Sequence, residues 1–332
     1  MTTSRYDALP VEVANHPRSH VMIRYEPQPR WLPDIVRLPL SYALVRALRG
    51  TFGMGVYAGL LVYLLEMQVR IELPHGALAF SALGGVVSLA LAFRVNNAYA
   101  RWWEARQHWG LLVNHSRNLA ALGRTLWRPD DEPGRRRLAG LIGDFAVGLS
   151  LHLRGELTPA ELPSLSDAER EAAGAREHPL SLVSQLLWAE AERRRAEGLL
   201  DTAQLLTLQP HLRAPLDVLG ACERIRSTPI PFAVTSAARL FLLLFALFVP
   251  IGLHGEFSWA AIPIGMAAYF AVAVMDVLAA ELENPFGIDC NDLPTRSIGE
   301  MIRRQAHEIL GVEREGPADT QPTKPALYSK IR

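Results

Sequence analysis

The chain has 332 residues, of which 49% are hydrophobic, and its 34 Lys and Arg residues balance its 34 Asp and Glu residues. This balance gives no basic surface for nucleic acid, so we expect no nucleic-acid partner. The two cysteines, Cys222 and Cys290, form no CxxC pair and have no spacing suited to zinc, so they imply neither a disulfide framework nor a structural metal. Residues 1–40 are polar and proline-rich and show no signal-peptide pattern.

Four apolar runs contain no Asp, Glu, Lys or Arg. They are residues 51–65, 76–93, 240–253 and 257–275. The second and fourth have 18 and 19 residues, close to the roughly 20 that cross a hydrocarbon core of about 30 Å. The shorter first and third runs span a membrane only if Arg46 and Arg49, or Arg239, lie at its interface. We predict four transmembrane helices; buried core helices of a soluble protein are the alternative.

The four runs pair into two hairpins, because the links at 66–75 and 254–256 are short. Arginines gather at the opposite ends, so the positive-inside rule places both termini and the middle of the chain in the cytoplasm. The predicted organisation is a cytosolic segment at 1–42, transmembrane helices 1 and 2 at 43–100, a cytosolic helical domain at 101–231, transmembrane helices 3 and 4 at 232–280, and a cytosolic segment and tail at 281–332.

The segment between the hairpins has helical periodicity and no alternating strand pattern. Apolar residues recur at three and four spacing over 102–113 without a breaker after the second run, so one helix should continue from the membrane into the cytoplasm. We predict a turn at 129–137 and a polar connection at 163–179. A later helix is expected to bend at Pro210 or Pro215.

Motifs of the common enzyme classes, such as GxxxxGK, GxSxG and HExxH, are absent from the sequence, and we expect no enzyme activity. His108 and His115 lie seven residues apart on one helical face, a spacing that can hold a metal, although packed or capping histidines are favoured. Glu190, Glu192 and the arginines at 193–195 are predicted to form a solvated face with local ion pairs.

The second apolar run carries the most informative pattern. Gly85, Leu89 and Phe93 are four residues apart and therefore lie along one stripe of the helix. Such a stripe either contacts lipid and neighbouring helices or, around a symmetry axis, forms apolar rings that stop ions by dewetting. Small residues such as Ser81 and Gly84 permit close helix packing. Composition alone favours lipid or packing.

Three segments resemble the bestrophin family, in its bacterial branch. They are FRVNNAYARWWEARQHWG (93–110), GACERIRSTPIPFAVT (220–235) and ENPFGIDCNDLP (283–294). The resemblance covers nearly the whole of 42–307 and implies an all-α membrane protein that assembles as a pentamer around a central pore. In that family the second helix lines a hydrophobic neck and continues into a cytosolic vestibule that ends in a second constriction.

The resemblance also implies which residues line the pore. The neck and aperture residues would be Gly85, Leu89, Phe93, Ala203 and Leu206. Gly85 and Ala203 are smaller than the residues usual in the family at these positions. The resemblance therefore implies a neck of two apolar rings, or one in which Val86 takes the place of the third, and an aperture wider than is usual in the family.

The loop at 283–294 matches the calcium clasp of the calcium-gated relatives. The resemblance aligns Asp289 and Asp292 with clasp acids and Asn284 with a carbonyl ligand. Three neighbouring positions that are acidic in those relatives are not acidic here, and affinity for calcium depends on the number of charged ligands. We favour a structural role, in which Asp289 or Asp292 caps the next helix or the preceding loop. No cofactor is predicted, and calcium is the one candidate.

Rings of Leu and Phe do not by themselves select the sign of the ion. Arg94, repeated five-fold at the inner mouth of the neck, would favour anions if it faces the lumen, whereas packing between subunits is the alternative. We predict a channel in the bacterial inner membrane for small monovalent ions, chloride and other anions first. The alternatives are a sodium or potassium channel of the same fold and a non-conducting membrane scaffold.

Overall fold

The computed structural model describes residues 42–67, 76–288 and 291–313, and all regular structure in these residues is helical. The predicted segment at 1–42 lies almost entirely outside the described residues, as does most of the tail. The helices are α1 Tyr42–Met67, α2 Gly76–Leu126, α3 Glu132–Arg154, α4 Asp167–Gly174, α5 Pro179–Ala196, α6 Thr202–Ser227, α7 Phe232–Phe257, α8 Ala261–Leu282 and α9 Thr295–Leu310, with short 3-10 turns at Pro159–Glu161 and Ser258–Ala260.

Helix α2 joins the apolar and the polar parts of the chain. It has 51 residues, which at 1.5 Å per residue makes it roughly 75 Å long, and it confirms the predicted continuous helix. Its buried residues recur on one side, from Val87 and Leu91 through Ala98 to Ala105 and Trp109. This side contacts α7 and α8, and farther along the chain α6 and α9.

The apolar helices α1, α7 and α8 pack with the first half of α2. Their shared core contains Met54, Leu91, Phe245 and Val249, and the rings of Phe80 and Phe245 stack with centroids 4.9 Å apart. Two stretches, Leu44–Met67 and Phe232–Leu282, are long and apolar enough to cross a membrane, with mean hydropathies of 1.4 and 2.2; the second contains both α7 and α8. We call this region the apolar cluster.

Helix α3 forms the centre of the second region, which we call the cytosolic bundle after its predicted location. Residues 138–151 of α3 are all buried, against α9, α5 and α6. Small residues allow this burial because they bring helix axes close together. At Gly299 of α9 an added Cβ would lie 2.9 Å from the backbone oxygen of Ala146 in α3.

Two predictions of irregular structure in the bundle are wrong. Helix α3 begins at Glu132, inside the predicted turn, because the Asp131 side chain accepts a 2.9 Å hydrogen bond from the amide of Gly134. Helix α4 lies inside the predicted polar connection, because Ser166 and Glu169 form a reciprocal capping box. In both segments the capping residues outweigh the polar composition.

The predicted solvated face at 190–195 is only partly correct. Arg194 is 2% exposed, donates 2.6 Å hydrogen bonds to Glu190 and Asp131, and lies 4.6 Å from the ring centroid of Trp127. Burial alone would raise the pKa of Asp131, but the hydrogen bonds from Arg194 and from the backbone lower it overall. The middle arginine of the triple therefore faces the core and links α5 to the first turn of α3.

Candidate ion pathway

The stripe predicted to form the neck is exposed on the described chain. Leu89 and Phe93 are 60% and 59% exposed, whereas Val87 and Leu91 on the packed side are buried. An added Cβ at Gly85 would have no neighbouring atom within 4 Å. Within the described part of one chain, this apolar stripe of α2 has no packing partner, so it must face lipid, another copy or a water-filled path.

The same side of α2 changes from apolar to polar beyond Phe93. Asn96, Ala100 and Gln107 follow at three, four and seven spacing and are exposed. Beside them the ring of Tyr99 stacks on those of Trp102 and Trp103, at centroid distances of 6.1 and 6.5 Å. One face of a single helix therefore leads from the apolar cluster to the cytosolic bundle.

The predicted aperture residues lie in the first turns of α6. Asp201 and Gln204 cap this helix reciprocally, with hydrogen bonds of 2.7 and 2.9 Å, and fix its first turn. Ala203 and Leu206 are exposed, Leu206 by 60%, while Leu208 is buried in the bundle. The two predicted liners thus share the outer side of α6 near its start.

Arg94 does not supply the predicted charge at the pore mouth. Its side chain is 0% exposed, forms an ion pair with Asp276 of α8 and lies 3.9 Å from the Glu283 carboxylate. The prediction is wrong because successive residues on a helix differ by about 100°, which turns Arg94 away from Phe93 and into the chain. Arg239 of α7, which the sequence places at the membrane interface, is exposed.

The loop after α8 is held by the residues that follow the neck. Arg101 donates a 2.8 Å hydrogen bond to the Glu283 carbonyl, and the indole of Trp102 donates a 3.0 Å bond to the Asn291 carbonyl. Within the loop, the amide of Leu293 donates to the carbonyl of Pro285 at 2.9 Å. The Arg-Trp-Trp and Asn-Pro-Phe-Gly motifs, far apart in sequence, therefore meet in the fold.

Arg154 occupies the other side of this loop. It donates 3.3 Å hydrogen bonds to the carbonyl of Phe286 and to the hydroxyl of Thr295, the first residue of α9. Burial lowers the pKa of Arg154, and the charge of Asp292 acts in the opposite direction. Asp292 does not cap α9, because Pro294 is the N-cap of that helix and no side chain bonds there. The other predicted role, a cap of the preceding loop, stays a prediction. Asp289 lies outside the described residues.

A cavity of about 570 Å³ lies between this loop and the ends of α3 and α6. Its charged and polar lining residues are Arg101, Arg154, Arg226, Glu156, Glu283 and Asn284. A calcium ion bound by Asn284 would therefore face three guanidinium groups, and Arg154 already uses one of the loop carbonyls. The three guanidinium groups outnumber the two carboxylates, Glu156 and Glu283, so the described lining offers no net negative charge to a doubly charged cation.

The histidines predicted as a possible metal pair do not converge. His108 lies 3.8 Å from the carboxylate of Glu104, whereas the Nδ1 atom of His115 lies 2.9 Å from that of His211 on α6. Desolvation, and then the neighbouring imidazole, lower the pKa of His211. Spacing within α2 gave no sign of this partner, since it lies 96 residues farther along the chain.

Comparison with known proteins identifies the class of this protein. The sequence profile described as Bacterial/Fungal Bestrophin protein matches residues 23–308. The chain therefore belongs to the bestrophin family, which confirms the predicted family and an all-helical membrane protein.

The relatives carry related names. A voltage-dependent anion channel-forming protein of Nostoc sp. is 32% identical over 263 residues, 76% of this chain and 84% of its own length. One from Mesorhizobium japonicum is 29% identical over 306 residues, 91% of this chain and 96% of its own length. The crystal structure of a bacterial bestrophin homologue from Klebsiella pneumoniae is 28% identical and superposes with a TM-score of 0.75, covering 81% of this chain and 99% of that one.

Proposed function

We propose that the protein is an ion channel that passes small anions, chloride foremost, along the exposed stripe of α2. The observation that carries the proposal is that Leu89 and Phe93 are 60% and 59% exposed on a helix whose opposite side is fully packed. Relatives named as anion channel-forming proteins support it. Rings of such side chains around a water-filled axis form a hydrophobic constriction.

We place the path between copies of the chain. Among the described residues, the centre of the apolar cluster is filled by packed side chains such as Met54, Leu91 and Phe245, which favours a path between copies over one within a protomer. We infer a pentamer in the bacterial inner membrane, in which each chain crosses the bilayer four times and both termini are cytoplasmic. The arginines at the cytoplasmic ends of the four apolar runs support this orientation.

Five copies would give a neck of two apolar rings, at Leu89 and Phe93, because Gly85 carries no side chain. The second constriction of the path would lie at Ala203 and Leu206. Burial of Arg94 removes the charge that had favoured anions at the neck, so the choice of anions depends on the named relatives and on the positive edges of the Phe93 rings. A sodium or potassium channel remains the second candidate.

Ion flux from liposomes tests conduction. We expect the double variant Leu89→Ala with Phe93→Ala to conduct at least several-fold faster than the unmodified protein, because smaller side chains widen both rings and keep them wet. Leu243→Ala is the matched control, since Leu243 is an exposed leucine of α7 outside the stripe, and its flux should not change.

Three outcomes would contradict the proposal. Absence of flux under chloride and sodium gradients, even with both neck residues changed to Ala, would leave the non-conducting scaffold. A reversal potential in asymmetric sodium chloride that moves toward the sodium equilibrium value would establish the cation channel instead. A subunit count other than five, from light scattering or native mass spectrometry, would overturn the pentamer.

We also propose that the loop at 283–294 is held by protein groups and does not require calcium. Arg101, Trp102 and Arg154 bond its carbonyls, and three arginines line the adjacent cavity. Calorimetry should detect no calcium binding, or binding only at millimolar concentrations. Micromolar calcium binding that disappears in Asp292→Asn would contradict this.

A further inference from the structure

Two histidines and a glutamate converge near the ends of three elements of the cytosolic bundle. His152 lies in the last turn of α3, His178 is the N-cap of α5 and Glu223 lies on α6. The Glu223 carboxylate oxygen is 2.7 Å from Nε2 of His152 and 3.6 Å from Nδ1 of His178. The three ligand atoms all lie within 4.8 Å of one another.

We propose that these three side chains bind a zinc ion. Ligands about 2.0–2.1 Å from zinc at a tetrahedral angle lie about 3.3 Å apart, and the observed spacings bracket this value. Small side-chain rotations are therefore enough to close the site. Imidazole nitrogen with a carboxylate suits zinc, whereas calcium and magnesium prefer oxygen ligands throughout.

The surroundings fix the ligands but leave room for the ion to enter. The carbonyl of His152 accepts hydrogen bonds of 3.0 Å from Arg226 and from the amide of Gly155, so the end of α3 is held in place. The side chains of His178 and Glu223 are 50% and 33% exposed. Three protein ligands leave the fourth zinc position for water.

The number of ligands distinguishes this cluster from ordinary surface ion pairs. His108 with Glu104, and His115 with His211, each bring together only two ligand atoms. Among the residues that the structure describes, His152, His178 and Glu223 are the one group of three at metal-binding distances. An ion pair requires only one histidine and one glutamate, so it does not account for the second imidazole of this cluster.

A bound ion would connect α3, α5 and α6 at one point and so stabilise the bundle. Since the unfolded chain does not hold the three ligands together, the free energy of binding would add to that of folding. Binding also requires imidazole nitrogens that carry no proton, so zinc affinity should fall in acid.

Calorimetry on the purified full-length protein, freed of any affinity tag and stripped with a chelator, tests the site. We expect saturable zinc binding at pH 7.5 that includes one ion per chain at this site. His178→Gln and Glu223→Gln should each reduce the zinc affinity of that site at least tenfold. His108→Gln should bind zinc as the unmodified protein does. Magnesium should not compete.

Thermal unfolding provides a second readout that is independent of ion flux. Without metal, His178→Gln should unfold at the temperature of the unmodified protein, because His178 is half exposed; added zinc should raise the midpoint only in the unmodified protein. Cobalt should give a visible d–d absorption that the variant lacks. Zinc binding that is absent, or equal in the unmodified protein and in His178→Gln, would overturn the proposal.

Discussion

The apolar cluster and the cytosolic bundle distribute their side chains in opposite ways. In the bundle, large apolar residues such as Trp109 and Phe145 are at most 1% exposed. In the apolar cluster, Phe52 is 71% and Phe232 86% exposed, while a charged residue, Arg94, is fully buried. A chain in water does not leave so many large apolar side chains uncovered. The difference indicates that the two regions have different surroundings, apolar ones for the apolar cluster and water for the bundle.

Both regions contain a buried charged residue, and replacing the one in the apolar cluster should cause the largest loss of stability. We expect Arg94→Met to destabilise the apolar cluster by about 3 kcal/mol, because the Asp276 carboxylate, only 16% exposed, then remains without its partner. Thermal unfolding and size-exclusion chromatography of the detergent-solubilised protein will measure this loss. The double variant Arg94→Met with Asp276→Leu should recover most of it; equal losses in the single and double variants would show that the ion pair is not the cause.

Asp144 is the corresponding buried charged residue in the bundle. Burial raises its pKa to about 6 from the ordinary 3.8, against hydrogen bonds from Ser164 and the charge of Arg303. The folded state therefore binds a proton at Asp144 more tightly than the unfolded chain does. As the pH falls from about 6 to 4, protonation of this group raises the free energy of unfolding by about 3 kcal/mol in full. Above pH 7 its contribution is constant.

Denaturation of the unmodified protein and of Asp144→Asn at pH 7, 6, 5 and 4 checks this sign. The stability of the unmodified protein relative to the variant should rise as the pH falls. Glu192→Gln, which changes an exposed acid on α5, is the control and should show little of this trend. A relative stability that stays flat or falls in acid would contradict the raised pKa.

The smallest expected change in stability concerns close helix packing in the bundle. Gly299→Ala would bring a Cβ to 2.9 Å from the Ala146 oxygen and 3.1 Å from the Val147 Cα, both backbone atoms, and should cost about 1–3 kcal/mol. Gly220→Ala, on an exposed part of α6 with no atom within 4 Å, should be neutral or stabilising by about 0.5–1 kcal/mol. Equal unfolding midpoints for the two variants would show that α3 and α9 separate without cost.

Local pattern predicted the continuous helix α2 and the helix that passes through Pro210 and Pro215, since both depend on neighbouring residues in sequence. The same reasoning missed the direction of Arg94, because its partner Asp276 lies on another helix and no spacing within α2 reports it. It likewise placed Arg194 in water, although Asp131 and Trp127 cover it.

The candidate neck could be located from the sequence only with the family resemblance. An apolar stripe of Gly85, Leu89 and Phe93 has the same composition whether it faces lipid or water, and its exposure in a single chain does not distinguish them. The sequence did not predict the proposed zinc ligands, for another reason. His152, His178 and Glu223 are separated by 26 and 45 residues, so only the packing of α3, α5 and α6 brings them together.

The unbroken course of α2 has a mechanical consequence. A helix of 51 residues without an internal proline has no proline kink at which it could bend sharply. A rotation of α2 that moves Phe93 therefore also moves Trp103 and His115. With Arg101 and Trp102 fastened to the loop after α8, the helix is pinned near its middle. A tilt of α2 about that point would move its two ends in opposite directions and would require the helices packed along both halves to shift with it.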